Sequence, residues 1–286
     1  MKRIRIYHLT EYTYSQSVEL TDYVLLLRPR EGHDIRIASS RLNVQPDHSM
    51  KWYRDIYGNS VGVLHLKEPA SQLYIESEVV IEHYETNPLD FLVDERAVTF
   101  PFPFEPGERL DLLPYCTHTW PNETKTLATW VSRFWIAGQS IETYTLLDQM
   151  NKAIVAEFGY GMREEPGVQS TATTLKLKTG SCRDFAALFI EACRFLGLPA
   201  RFVSGYLHNP DSTLPGSTHA WSEVYLPGAG WIGFDNTSGQ VTGASHIPTA
   251  VHRHAEAVPP VSGSNYGDAF VSSNLRVVVE VNEVDG

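Results

Sequence analysis

Three features of the sequence predict an α+β protein, with an N-terminal antiparallel β-sandwich followed by helices packed on an antiparallel sheet. The first 85 or so residues alternate polar and apolar side chains with no helical period. Two stretches beyond residue 121 carry apolar residues at helical spacing, and the segment that follows a third helix reads as consecutive strands. Strands grouped first and helices grouped after them are the pattern of an α+β chain.

In "QLYIESEVVIEHY", Leu73, Ile75, Val79 and Ile81 share one face and Glu76, Glu78 and Glu82 the other, which predicts a half-buried strand. "YVLLLRPR" and "SVGVLHL" are similar, and "IYGNS" supplies a Gly-Asn turn before the latter. From Asn87 to Pro121 the chain is rich in proline and aromatic residues, as in "FPFPFEPGERLDLLPY". Such proline density blocks helix interiors and central strands, so an irregular packed connector is expected. "NETKTLATWVSRFW" and "SIETYTLLDQMNKAIVAEFGY" read as two helices, with Ile141, Leu146, Leu147, Met150 and Ile154 on one stripe of the second.

The third helix is "SCRDFAALFIEACRFLG", with Phe185, Leu188, Phe189, Ala192 and Leu196 as its buried stripe and Gly197 as its stop. "ARFVSGYL", "HAWSEVYL" and "WIGFDNT" read as strands, the last two forming a hairpin through "PGAG". The stretch after Ser238 is expected to be loop until "NLRVVVEVNEV" adds a final strand. The predicted organisation is a β-sandwich over residues 1–86, a proline-rich connector over 87–121, and a helix-and-sheet unit over 122–286.

The totals narrow the classes of function. Two domains suit 286 residues, each long enough to bury a core. A formal net charge of -11 argues against nucleic acid as a partner, since phosphate-backbone binders cluster Lys and Arg. No signal-peptide core or membrane-length apolar run is present, so no membrane partner and a cytoplasmic location are expected. Cys116, Cys182 and Cys193 form no disulfide framework and no C-x-x-C pair. On one helix, Cys182 and Cys193 would stand roughly 16 Å apart at about 1.5 Å per residue, beyond disulfide reach.

Cys193 falls in the buried stripe and is expected to be a small core residue. Cys182 sits at the helix start, where the dipole favours an anionic sulfur and unpaired N–H groups can hold an oxyanion. A working thiol also needs a histidine, and His219 begins a later strand, with Asp235 ending its hairpin partner. Parity supplies a test. If Pro227 to Ala229 form the loop, Leu226 faces Gly230, Trp221 faces Asp235, and Asp235 shares a face with His219. In that register Asp235 fixes the imidazole tautomer, the third-group role beside a Cys-His pair. Each residue alone has a plainer reading: a structural cysteine, a satisfied strand histidine, a turn-forming aspartate.

Together these residues resemble the transglutaminase-like superfamily, whose core has the papain-like cysteine protease fold. The resemblance rests on "GSCRDFAALFIEACRFLGLPARFVSGY", "HAWSEVYLPGAGWIGFD" and the tail of "HIPTAVHRHAEAVPPVSG". It extends to "YHLTEYTYSQSVELTDYVLLLRPR" with "DIYGNSVGVLHL", which looks like the β-rich N-terminal domain of a bacterial subgroup. It implies Cys182 as nucleophile, His219 as base and Asp235 as the orienting group. Asn236 stands where many relatives have proline, and the His246 to His254 stretch lacks a tyrosine and an aspartate expected in the family's tail.

Tyr160, in "GYGMREEPGVQS", is expected on the rim of the cleft. Trp221 should lie beside His219, shielding it or touching substrate, or serving as a core aromatic. Arg183 and Asp184 are expected to pair with loops or to guide substrate. His246, His252 and His254 match no metal motif, and no Walker or dinucleotide glycine pattern occurs, so neither a metal nor a nucleotide cofactor is expected. The expected activity is attack on a peptide or protein amide through an acyl-thioester, resolved by water in a peptidase or amidase, or by an amine in a transamidase. A non-catalytic peptide-binding scaffold is the competing class.

Overall fold

The computed structural model describes every residue except 86, 164, 210–217, 267–270 and 285–286. The boundary expected at residue 86 and residue 164 of the expected rim lie outside the described residues. β1 (Lys2–Leu20), β2 (Tyr23–Leu25), β3 (Ile35–Gln45), β4 (His48–Arg54), β5 (Ser60–Leu66) and β6 (Ala70–His83) open the chain. β3, β6 and β1 are neighbours in one antiparallel sheet, and β2, β5 and β4 in another. Leu73, Ile75, Val79 and Ile81 are all buried, as the alternation of β6 predicts. Tyr14, Val18, Tyr23, Leu25, Leu64 and Leu73 pack between the two sheets. The turn before β5 places Gly58 at φ +74°, a conformation that favours glycine.

Then come β7 (Thr99–Phe100), α1 (Pro106–Leu112), α2 (Thr124–Val131), β8 (Ile141–Glu142), α3 (Thr143–Glu157), β9 (Gly159–Tyr160), α4 (Thr171–Leu177), β10 (Thr179–Gly180) and α5 (Cys182–Phe195). A second group follows: β11 (Ala200–Leu207), β12 (Thr218–Leu226), β13 (Gly230–Asp235), β14 (Gln240–Val241) and β15 (His246–His252). These form one sheet in the order β14-β13-β12-β11-β15. Phe185, Leu188 and Phe189 of α5 pack with Phe202, Val224 and Phe234 of this sheet. β16 (Val261–Ser262) and β17 (Asn265–Tyr266) return to the N-terminal strands, and β18 (Ser273–Glu283) pairs with β1 from Tyr14 to Ile4. The C-terminal strand, grouped with the second unit in the sequence reading, thus hydrogen-bonds to the first strand of the chain.

Among the departures from the sequence reading, four have a clear physical reason. α1 forms inside the proline-rich connector because Pro106 occupies the first helical turn, where no N–H is needed, and Glu105 and Glu108 make a capping box. α4 forms despite three threonines, capped by Ser170 and closed by Lys178 in the left-handed conformation. β15 is a strand despite Pro248, which a strand at the edge of a sheet tolerates and which lies where the register with β11 shifts. Ile141 lies in β8, before the helix whose stripe it was expected to join, whereas Leu146, Leu147, Met150 and Ile154 are fully buried. Among the described residues no helix is long and apolar enough to cross a membrane.

The N-terminal strands are joined to the second sheet by polar contacts as well as by packing. Ile4, Ile6, Ile35, Val79 and Ile81 meet Tyr206 and Ile247. Asn59, fully buried, donates to the Val251 carbonyl at 2.8 Å and accepts from its N–H at 2.9 Å, so its side chain pairs with β15 as a strand would. His8 bridges the Tyr206 hydroxyl at 2.8 Å and the Thr10 hydroxyl at 3.0 Å. Burial pushes the His8 imidazole down to about 4.

His8 is therefore neutral when folded but takes up a proton below about pH 6.5 when unfolded. Its contribution to stability is full above that value and falls as the pH drops from 6.5 to about 4. The expected loss is on the order of 3 kcal/mol at 1.36 kcal/mol per unit. Urea denaturation at pH 7.5 and pH 4.5 should show a pH dependence that is markedly smaller in His8→Gln than in the wild type.

Candidate active site

The start of α5 is built around a fully buried carboxylate. Oδ2 of Asp184 accepts the Ser181 N–H at 2.8 Å and the Ser181 hydroxyl at 2.9 Å, closing the helix cap. Its Oδ1 accepts the Arg163 guanidinium and the Gln169 N–H, both at 2.7 Å. Four donors on one carboxylate satisfy a charge that burial would otherwise penalise heavily. Gly180 is required by the same closeness, because a Cβ there would lie 2.9 Å from the Asp184 Cβ. Cys182 follows as the first helical residue, partly exposed.

The β12-β13 hairpin has the odd register the sequence predicts. Leu226 faces Gly230 and Ser222 faces Phe234, which puts Trp221 opposite Asp235 and turns Asp235 to the face of His219. The Nε2 of His219 lies 3.1 Å from Oδ2 of Asp235. The Cys182 thiol is also close enough to favour the charged imidazole, so the ring stands between thiol and carboxylate. Burial alone would push His219 down; the Asp235 and Cys182 contacts outweigh it and push the imidazole up to about 10. Burial likewise opposes the charge on Asp235, yet His219 and His246 hold its carboxyl well below the usual range. The three side chains singled out from the sequence are therefore in one contact chain.

Asp235 is engaged by more partners than His219 alone. Its Oδ1 accepts the N–H groups of Thr237 at 2.9 Å and Ser238 at 3.3 Å. Its Oδ2 accepts Nε2 of His246 at 3.1 Å in an aligned hydrogen bond, whereas the equally close Nε2 of His219 lacks that alignment. Asn236, buried completely, accepts from the Ser222 hydroxyl at 2.8 Å and donates to Asn151 of α3 at 2.9 Å. Asn236 thereby ties the end of β13 to α3.

The other expected site residues are distributed around this chain. Tyr160 is half-exposed on β9, which pairs in parallel with β10 directly before Cys182. Burial, followed by the charges of Cys182 and Asp235, pushes its phenol up. Arg183 donates to the carbonyls of Arg163 at 3.1 Å and Glu165 at 3.3 Å, holding the loop around the helix start. Trp221 is buried, with its ring 6.1 Å from that of His219 and 5.3 Å from that of His246. It lies over Gly205, where an added Cβ would come within 2.7 Å of the indole and 2.2 Å of the Ile247 carbonyl oxygen. Cys193 is completely buried, and burial pushes its thiol far up.

Among the described residues, His219, Asp235 and His246 bring one potential ligand atom each within 4.8 Å of one another. Ligation would need a bare Nε2 on His246. Its Nδ1 accepts the Gly243 N–H at 3.3 Å, which places the ring proton on Nε2 and aims it at Asp235. The local bonding thus suits a hydrogen-bond donor better than a metal ligand. Sequence reasoning missed this contact because His246 arrives on a segment running from one edge of the sheet to the other, and no period connects residues 235 and 246. Arg163 was missed because it reaches Asp184 from a loop, where no period connects the two residues.

Residues 136–236 match the transglutaminase-like superfamily, and residues 4–82 match the bacterial transglutaminase-like N-terminal region. An uncharacterized protein of Mycobacterium tuberculosis strain H37Rv is 28% identical over 99% of this chain and 94% of its own length. A second, from Mycobacterium leprae, is 27% identical over 98% of this chain and 99% of its own. Among solved structures, a protein from Cytophaga hutchinsonii described as a "Putative Cysteine Protease" superposes with a TM-score of 0.78 at 21% identity. That likeness covers 100% of this chain and 91% of the other, and it shows a shared fold.

Removing the carboxylate at the helix start strands several buried donors at once. Asp184→Ala is expected to cost about 3–5 kcal/mol in urea denaturation, the range for leaving one partner of a buried ion pair unpaired. Asp184→Asn, which keeps one acceptor oxygen, should lose less.

Proposed function

The chain is a transglutaminase-like superfamily protein carrying the bacterial transglutaminase-like N-terminal region, and on that footing we propose that it performs thiol-dependent acyl transfer on a peptide or protein amide. The observation that carries the reading is the position of His219, 3.1 Å from Asp235 on one side and beside the Cys182 thiol on the other. Cys182 is the nucleophile, His219 the acid and base, and Asp235 the group that orients the ring.

In the first step the Cys182 sulfur, as thiolate, attacks the amide carbon and the carbonyl oxygen takes the negative charge. The N–H groups of Cys182 and Arg183, the first two of α5, have no acceptor within the helix and suit that oxyanion, whereas that of Asp184 is taken by Ser181. Collapse breaks the C–N bond, the amine leaves with the proton from His219, and an acyl-thioester remains. Water then gives its proton to His219 as its oxygen attacks the thioester, and loss of the sulfur releases the acid and restores the thiolate-imidazolium pair. Hydrolysis is favoured over transamidation because water needs no second binding site. The charge on His219 persists below about pH 10 and is lost above it.

Iodoacetamide labelling at pH 7, located by mass spectrometry, tests the thiol directly. An unpaired thiol is only a few per cent ionised at that pH, so Cys182 should label at least about tenfold faster in wild type than in His219→Ala. The difference should shrink as the pH rises towards 10, where the imidazolium is lost. Glutamine-containing peptide amides should release acid without incorporating an added primary amine, and Cys182→Ala should abolish the release. Incorporation of the amine would make the protein a transamidase, whereas equal slow labelling in wild type and His219→Ala would favour the binding scaffold.

A further inference from the structure

We infer that His246 is a positioning residue of this site, holding Oδ2 of Asp235 in place and thereby limiting how closely the carboxylate closes on His219. The inference rests on the acyl-transfer reading above. Three observations carry it. The Nε2–H of His246 makes the aligned bond to Oδ2 at 3.1 Å, and the His219 Nε2–H, equally close, is not aligned with that oxygen. The proton on His246 is fixed at Nε2 by the Gly243 N–H bond to Nδ1. Oδ1 is occupied by the N–H groups of Thr237 and Ser238, which limits rotation of the carboxylate.

His246 is itself anchored from the N-terminal sheet. The His83 ring lies beside the His246 backbone, and its Nδ1 accepts the Glu85 N–H at 3.4 Å. The groups facing the site are Cys182 from α5, Tyr160 from β9 and His83 from β6. A cavity of about 430 Å³ beside Trp221 and His246 adds His33, Asp34, Glu85 and Glu223 to its lining. None of these substitutes for the donor on Oδ2.

The consequence concerns proton transfer. A carboxylate shared between two N–H donors binds the imidazolium less tightly than one devoted to it. His219 must lose its proton in each turnover to act as base on water, so an unrestrained Asp235 would shrink further the small neutral fraction of the ring left below about pH 10.

The test is turnover of p-nitrophenyl acetate from pH 5 to 9, with thermal melting, in wild type, His246→Ala, His246→Gln and Cys182→Ala. In His246→Ala the acid limb should move up by about one pH unit, a roughly tenfold loss on that limb. His246→Gln, whose amide can donate from nearly the same place as Nε2, should restore most of the loss. An unchanged limb, or one moved to lower pH, overturns the assignment. So does an equal loss in both variants accompanied by a lower melting temperature, which would make His246 a packing residue. If wild type turns over no faster than Cys182→Ala, the acyl-transfer reading fails first and takes this assignment with it; a working wild type with an indifferent His246 overturns the assignment alone.

Discussion

The geometry of the site depends on one buried anion. Asp184 ends a chain of constraints in which the glycine before the cap allows close approach, the cap serine donates twice, and Arg163 brings the preceding loop to the same carboxylate. A helix end ordinarily frays, and Cys182 is the first residue of this one. Satisfying the carboxylate from both the cap and the preceding loop removes that freedom. Arg183 extends the arrangement by holding the carbonyls of the same loop, so two adjacent residues after the cysteine act on one rim.

The second half of the site sits on a sheet immobilised through the N-terminal strands. Asn59 pairs with the backbone of β15, His8 reaches Tyr206, and β18 hydrogen-bonds along β1. The N-terminal region therefore works as a brace for the sheet that carries His219 and Asp235. The helix α5 is braced differently. Glu191 and Arg194, both buried, bind the His118 ring, the Thr119 N–H and the Tyr115 carbonyl, fastening the connector to the helix. A helix with an apolar stripe would suffice for packing; one with a buried ion pair also fixes the path of the segment beside it.

The composition of the site follows from where each group finds its partners. Cys182 and His219 stand at element ends, where side chains reach across a gap that regular backbone cannot fill. Asp235 ends a strand and turns, so its backbone and one oxygen serve the turn while the other oxygen faces the histidines. Trp221 seals the flank of both rings and demands glycine at position 205. One residue thus joins the packing of β11 to the environment of the imidazole.

The sequence by itself determined the α+β class, the alternation of β6, the helical stripe of α5 and the pairing of His219 with Asp235. Each rests on a short-range period: two for strands, 3.6 for helices, and loop parity for a hairpin. The contrast between Cys182 at a helix start and Cys193 in a buried stripe was legible for the same reason. Tertiary structure alone decided that β15 joins the sheet despite its proline, that Asn236 reaches α3, that Arg163 meets Asp184 and that His246 shares Asp235. These contacts cross loops and sheet edges, where separation along the chain carries no period, so only the packed chain brings the partners together.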